Sequence, residues 1–467
     1  MARVVVVGGG IAGLAAAWGA RQRLGDDVEV LVLEKDADVG GKARTIARGE
    51  WLLEGGPGGF IGGRPEMDRL IAAAGLEGSR LPADSAAARR FLYRGRRLRE
   101  LGAGPLAFAR SGVISARGLL RLGLEPFIAA RRNGDEESVW DFAERRLGTE
   151  AAEALVGPMT LGIFAGNARR LSLRAAFPMM ARLERDHGSL IRGLIARRGK
   201  MSAGPLTSFR DGIQSLPRAL AARGRFRVRR AAAVRALQKE EAGWRVAVAG
   251  DTETIPADAV VLAAEPWAAG ALLAPLDAAA AADLSGIACP PVAVVGLGFT
   301  MDDAARVPRG FGALIARGEN LRMLGTLWDS HLYAGRSPRG HLLIRSMFGG
   351  AVDPGAGALS EAELVALATD ELARLFGITA APRFAHVVRW PRAIPQYELG
   401  HLERVARIEG AVARQPGLFI TGNALHGVAF ADAATDGLHC GERVAKWLAA
   451  ADARSAECSP QVNMKWS

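Results

Sequence analysis

The chain of 467 residues carries 60 Lys and Arg against 49 Asp and Glu, has 49 % hydrophobic side chains and bears a net charge of +11. A chain this long and this apolar buries enough surface to offset its ordering entropy, which excludes intrinsic disorder. Its three cysteines (Cys289, Cys440, Cys458) lack a C-x-x-C spacing, which excludes a disulfide framework or zinc site and points to a reducing compartment. No apolar run reaches the roughly 18 residues of a bilayer span, and Val4 to Val7 lead into glycines with no cleavage site, unlike a signal peptide.

The first 35 residues predict one βαβ unit: a strand over Arg3 to Val7, a turn over Gly8 to Gly13, a helix over Leu14 to Leu24 and a strand over Val28 to Glu34. A basic segment follows. Residues 89–200 hold 22 Lys and Arg against 11 Asp and Glu, so the whole surplus of the chain lies there, and residues 89–132 carry eleven arginines against Glu100 and Glu125. Apolar residues alternate with those arginines. Ser115 is expected to cap one helix bearing Leu120, Leu124, Phe127 and Ile128 on a single face, with Asn133-Gly134 as its stop. Leu and Phe flanked by Arg on segments too short to span fit a helix lying on an anionic membrane surface, and equally a core-facing helix with solvated arginines.

Strands are then predicted at Phe226 to Val228, Val234 to Leu237, Trp244 to Ala249, Ala259 to Ala263, Val292 to Phe299, Leu324 to Trp328 and His341 to Phe348. A helix over Glu361 to Phe376 precedes a strand at Leu418 to Thr421 and a last helix ending near Leu448, with a frayed tail over 451–467. The pattern is α/β (α+β mixed), a nucleotide-binding domain assembled from discontinuous pieces with two other domains inserted.

Gly8-Gly9-Gly10-Ile11-Ala12-Gly13 is G-x-G-x-x-G between strand and helix. Gly8 permits the tight turn, Gly10 lets backbone approach a pyrophosphate, and Gly13 lets helix and strand pack closely. Glu34, 21 residues on from Gly13, ends the next strand where a carboxylate can accept from an adenosine ribose, with Lys35 beside it.

Val39-Gly40-Gly41-Lys42-Ala43-Arg44-Thr45 resembles the second glycine motif of the flavin amine oxidase superfamily, which closes over the pyrophosphate and ribityl chain of non-covalent FAD. The resemblance implies an Arg44 contact to phosphate or ribityl, adenine held by backbone at Val234, and a return of the C-terminal part to the flavin through Asn423, Val428 and Ala429. Glu54-Gly55-Gly56-Pro57-Gly58 to Phe60, Arg90 to Tyr93, Gly162-Ile163-Phe164-Ala165-Gly166, Ser330 to Pro338 and the string from Trp390-Pro391-Arg392-Ala393-Ile394-Pro395-Gln396-Tyr397 to His401 are similar, in order, to the protoporphyrinogen oxidases.

That resemblance implies an FAD-binding domain over 1–82, 203–275 and 405–450, a substrate domain over 83–95 and 276–404, and a helical membrane-associating domain over 96–202. It implies Gly56, Pro57, Gly58 and Trp390 at the cofactor, Arg90 on a propionate, Leu314 and Tyr333 clamping the macrocycle, and close approach at Gly162, Phe164 and Gly166. Oxidation of protoporphyrinogen IX removes six electrons in three flavin cycles, with flavin N5 as hydride acceptor, O2 as final acceptor and hydrogen peroxide released. Coproporphyrinogen III, or another amine oxidase or desaturase chemistry, is the alternative. No catalytic side chain is assigned: His187, His331, His401 and His426 are each read as structural, and no metal is expected. The expected partners are a tetrapyrrole, O2 and an anionic membrane surface at the cytoplasmic face of a bacterial inner membrane. Nucleic acid is not expected, and a homodimer stays open.

The chain departs from the pattern in three places. Gly427-Val428-Ala429-Phe430-Ala431-Asp432-Ala433-Ala434 lacks the usual Cys and β-branched residue, Asn167 replaces an acidic residue, and Gly58 stands where a polar side chain is common.

Overall fold

The computed structural model describes residues 2–102, 104–131, 135–197, 204–241 and 243–457. Its first sheet is parallel and five-stranded. Ala2–Val7 lies at its centre, pairing with Val28–Leu33 on one side and Ala259–Leu262 on the other, and Arg227–Arg229 and Leu418–Ile420 form the edges. The central strand, VVVV over Val4 to Val7, is 5 % exposed or less throughout, the continuous apolar run a doubly covered parallel strand requires. Two helices, Ile11–Leu24 and Phe430–Glu457, cover one face and pack on each other through small residues. A β-carbon on Gly437 would strike the carbonyl of Ala12, and one on Gly19 would come within 2.7 Å of the Leu438 carbonyl oxygen.

The second sheet is mixed and seven-stranded, in the order Phe384–Trp390, Val292–Thr300, His341–Gly349, Met323–Leu327, Gly312–Ile315, Arg90–Arg94, Arg97–Leu101. The last two strands form a hairpin turned by Gly95 and Arg96, at φ +63° and +58°. Positive φ at both central residues matches the twist of the flanking strands. This hairpin carries the sheet to Leu101.

From Pro105–Arg110 to Leu190–Ala196 the regular elements among the described residues are all helices or helical turns. The single helix expected after Ser115 is interrupted. Ser115 does cap Ala116–Gly123, accepting from the Gly118 N–H, but the helix stops there and Glu125–Phe127 is one tight turn. Pro126 has no N–H to continue the ladder. Glu125 turns inward instead, fully buried, paired with Arg146 and accepting from Leu190 N at 2.9 Å. The expected stop, Asn133-Gly134, lies outside the described residues. The apolar residues of this stretch also divide: Val113 and Ile114 are core, whereas Leu106, Leu120, Leu124 and Phe127 are exposed.

The last helix runs nine residues beyond Leu448, to Glu457. Ala449 to Glu457 contains neither Gly nor Pro and is rich in strong helix formers, so nothing local ends it.

Candidate functional site

The first strand delivers Gly8 to a turn with φ +114°, where a β-carbon would sit 2.6 Å from the Ala263 carbonyl oxygen. Gly13 is closer still, since its β-carbon would overlap the Gly8 carbonyl. Both positions therefore demand glycine for packing. Gly10 is different: a β-carbon there meets nothing within 4 Å, because it faces a cavity. The helix that begins at Ile11 has no side-chain cap, so its first N–H groups and positive dipole end are left for a ligand.

The second glycine turn folds back onto the first. Gly40 N–H donates to the Gly9 carbonyl at 2.9 Å, and Gly40 and Gly41 take φ of +117° and +56°. Glu34 is 5 % exposed and accepts from Gly9 N at 2.6 Å and Asp36 N at 2.8 Å. Burial raises its pKa, and the two backbone donors oppose that rise. Each carboxylate oxygen keeps capacity for a further donor, as ribose hydroxyls would supply.

Gly10, Ile11, Ala12, Gly40, Gly41, Lys42, Gly56, Pro57, Gly58, Gly162, Trp390, Asn423, Val428 and Ala429 all line one cavity of about 450 Å³. Residues separated by more than 400 positions thus share one wall. Lys42 pairs there with Glu265, Nζ to Oε1 at 2.6 Å. The Trp390 to His401 string holds the walls together. Trp390 Nε1 donates to the Gly55 carbonyl at 2.6 Å, Gln396 Nε2 donates to the Phe164 carbonyl at 2.8 Å, and Tyr397 OH donates to the Asn423 carbonyl at 2.6 Å while accepting from Gly427 N at 2.8 Å. His401 stacks on Tyr397 at 4.0 Å, and burial pushes its pKa down to about 4.

Other residues expected at the site lie off this cavity. Gly8 and Gly13, at the two ends of the glycine turn, and Glu34, which accepts from Gly9 N, are not in the lining. Lys35 is exposed and pairs with Asp36. The Arg44 side chain is exposed, and its carbonyl accepts from Gly55 N at 2.7 Å. Val234 is half-buried two residues beyond Ala232, whose N–H donates to the Glu34 carbonyl at 2.8 Å, which puts it near the Glu34 end of the site. Leu314 touches the cavity through Gly162, whose β-carbon would lie 2.7 Å from Leu314 Cδ2. Arg90 is exposed on the second sheet, its guanidinium 5.3 Å from the Phe311 ring centre. Tyr333 is buried beneath Gly59, outside the lining, and its hydroxyl has no hydrogen-bond partner among the described residues. Phe164 packs in the core against Phe177 and Tyr397, and Gly166 lines a different cavity.

Several wall residues have no motif to announce them: Val292, Val294, Leu327, Arg345 and Met347. Val292 and Val294 alternate on one strand, Arg345 and Met347 on its neighbour, so the period of two places each pair on one face. Arg345 is buried, donating to the Gly56 carbonyl at 2.8 Å and pairing with Asp329 at 3.0 Å. A side chain at Gly58 would collide with its guanidinium, so that glycine makes room for a cation supplied by another strand.

The glycine turns, the open Gly10 position, the uncapped helix start and the buried Glu34 form a cradle that fits the adenosine and pyrophosphate of a flavin dinucleotide. The chain matches the family described as flavin containing amine oxidoreductase over residues 11–445, and it belongs to that family. It is an FAD-dependent oxidoreductase. It is 33 % identical to a chloroplastic protoporphyrinogen oxidase of Oryza sativa over 91 % of this chain and 84 % of that one. It is 28 % identical to the coproporphyrinogen III oxidase of Bacillus subtilis over 93 % of this chain and 96 % of that one. A solved Exiguobacterium structure has the same fold, with a TM-score of 0.84 at 23 % identity over 96 % of this chain and 98 % of that one.

Proposed function

We propose that this chain oxidises a porphyrinogen to the porphyrin, with protoporphyrinogen IX as substrate and O2 as final acceptor. The observation that carries the reading is the continuity of the dinucleotide cradle with an apolar chamber walled by Ile163, Val292, Val294, Leu327 and Met347. Aliphatic walls suit a large apolar macrocycle. Bound FAD supplies a two-electron acceptor, so loss of six electrons and six hydrogens takes three rounds, each returning one O2 as hydrogen peroxide. The chain's own part is to bind, orient and exclude water. Gly162 and Leu314 shape the chamber, Phe164, Gly166 and Tyr333 back it, and Arg90 meets a carboxylate arm. Lys42, Glu265 and Arg345, the titratable groups of the lining, are each ion-paired, so none is assigned as a base.

Coproporphyrinogen III is a second reading, favoured by the similarity to the Bacillus subtilis enzyme over 96 % of that chain. It carries four carboxylates where protoporphyrinogen carries two, and the arginines from Arg89 to Arg99 suit either. Porphyrin fluorescence followed with both porphyrinogens separates the two. A yellow protein that oxidises one of them is expected; a colourless protein, or a yellow one that oxidises neither, overturns the proposal.

We further propose peripheral attachment to the cytoplasmic face of a bacterial inner membrane. It is supported by the exposed Leu106, Leu120, Phe127 and Ile195, close in sequence to Arg110, Arg117 and Arg192, which make no ion pair among the described residues. No helix among the described residues is long and apolar enough to cross a membrane.

A further inference from the structure

We infer that a second cavity, across the helix Gly157–Phe164 from the flavin chamber, is a binding site for carboxylate groups. The helix turns Gly162 and Ile163 toward one cavity and Gly157 and Leu161 toward the other, which has a volume of about 560 Å³. Three arginines line this second space, Arg94, Arg169 and Arg317, against one acidic residue, Glu153.

The three arginines differ in how far they are engaged. Arg94 donates to the Val113 carbonyl and lies 3.5 Å from Glu150, which holds it in place. Arg169 sits over Trp140, its guanidinium carbon 3.9 Å from the ring centre, and makes no ion pair among the described residues. Arg317 likewise has none; the carboxylate that feels its field, Asp353, is already bound to Arg322 at 2.8 Å. A guanidinium held over an aromatic ring loses little freedom on binding, and its planar fork matches a carboxylate. Trp140, 8 % exposed, supplies the ring over which Arg169 sits.

Asn167 enlarges the site's positive surplus. It lies in the same lining and orients the loop by accepting from Arg169 N at 3.0 Å. An acidic residue, the usual one at this position in the resembling sequences, would set a second anion beside these arginines; the amide leaves a surplus of positive charge.

The ligand chemistry is a carboxylate cluster. Its source is either the arms of a tetrapyrrole, which rests on the function proposed above, or a free small polycarboxylate. The FAD-loaded protein is titrated by calorimetry at low ionic strength with citrate and, separately, with coproporphyrin III. Citrate binding weakened about ten-fold or more by the Arg169→Gln/Arg317→Gln double variant, with the flavin spectrum unchanged, is the expected result. Asn167→Asp, nearly isosteric, weakens binding in the same direction. Coproporphyrin III that displaces citrate and loses affinity in the same variants identifies tetrapyrrole arms as the source; citrate alone responding identifies a free polycarboxylate. Equal affinities in wild type and both variants, or no binding of either probe, overturn the inference. Wild-type protein that oxidises no porphyrinogen overturns the functional reading and leaves the citrate result standing.

Discussion

Arg90 is an exposed cation at the start of a strand, 5.3 Å from the Phe311 ring centre and without an ion pair among the described residues. If it holds a substrate carboxylate, Arg90→Ala raises KM with an effect of about 1–3 kcal/mol and leaves the flavin spectrum unchanged. An unchanged KM removes it from the site. His401 makes the opposite kind of prediction, about stability. Its folded pKa is depressed to about 4 from an ordinary value near 6.5, so the neutral ring contributes stability above pH 6.5 that is lost as pH falls toward 4. The loss amounts to roughly 3 kcal/mol, and His401→Gln flattens that part of the pH profile in chemical denaturation. Glycine and Glu34 positions were readable from sequence because their demands are local. Met347, Leu327 and Arg345 were not, since a strand's alternation does not tell a face turned to a cavity from one turned to a core.

At the scale of elements, the Trp390 to His401 string is a fastener. Its hydrogen bonds reach the Gly55 loop, the end of the helix at Phe164 and the Asn423 to Gly427 loop, three walls of one cavity. Tyr397→Phe leaves the part-buried Asn423 carbonyl and Gly427 N–H without this partner, costing about 1–3 kcal/mol, and FAD should dissociate faster when followed by flavin fluorescence. The first and last helices give a packing prediction. A methyl at Gly441 would overlap the Ala16 carbonyl, so Gly441→Ala lowers stability by about 1–3 kcal/mol, read as a lower Tm. The βαβ unit and the 361–376 helix were legible in the sequence because period and caps agree there, with Ser360 and Glu363 forming a full capping box. The inward turn of Glu125 in the 115–128 segment was not, because it depends on Arg146 and on the helix start near Leu190, both distant in sequence, whereas Pro126 is the local signal that the helix ends early.

For the whole molecule, the localisation of charge in residues 89–200 bears on where the protein resides. Arginines beside Leu120 and Phe127 predict binding to anionic vesicles that weakens with salt, and Leu120→Glu/Phe127→Glu reduces it in sedimentation while turnover in detergent persists. Vesicle binding unaltered by these changes sinks the attachment proposal. The strand order of the parallel sheet bears on how the chain is made. Its centre comes from the first seven residues, while one edge strand, Leu418–Ile420, and the covering helix from Phe430 come from the last fifty. A ribosome releases the glycine turns long before it releases their cover. The nascent N-terminal unit therefore carries exposed valine strands through most of translation, a span in which chaperone binding is expected. A chain stopped before Leu418 should retain no flavin at all, instead of binding it weakly, and flavin content of such truncated chains is the measurement that decides this.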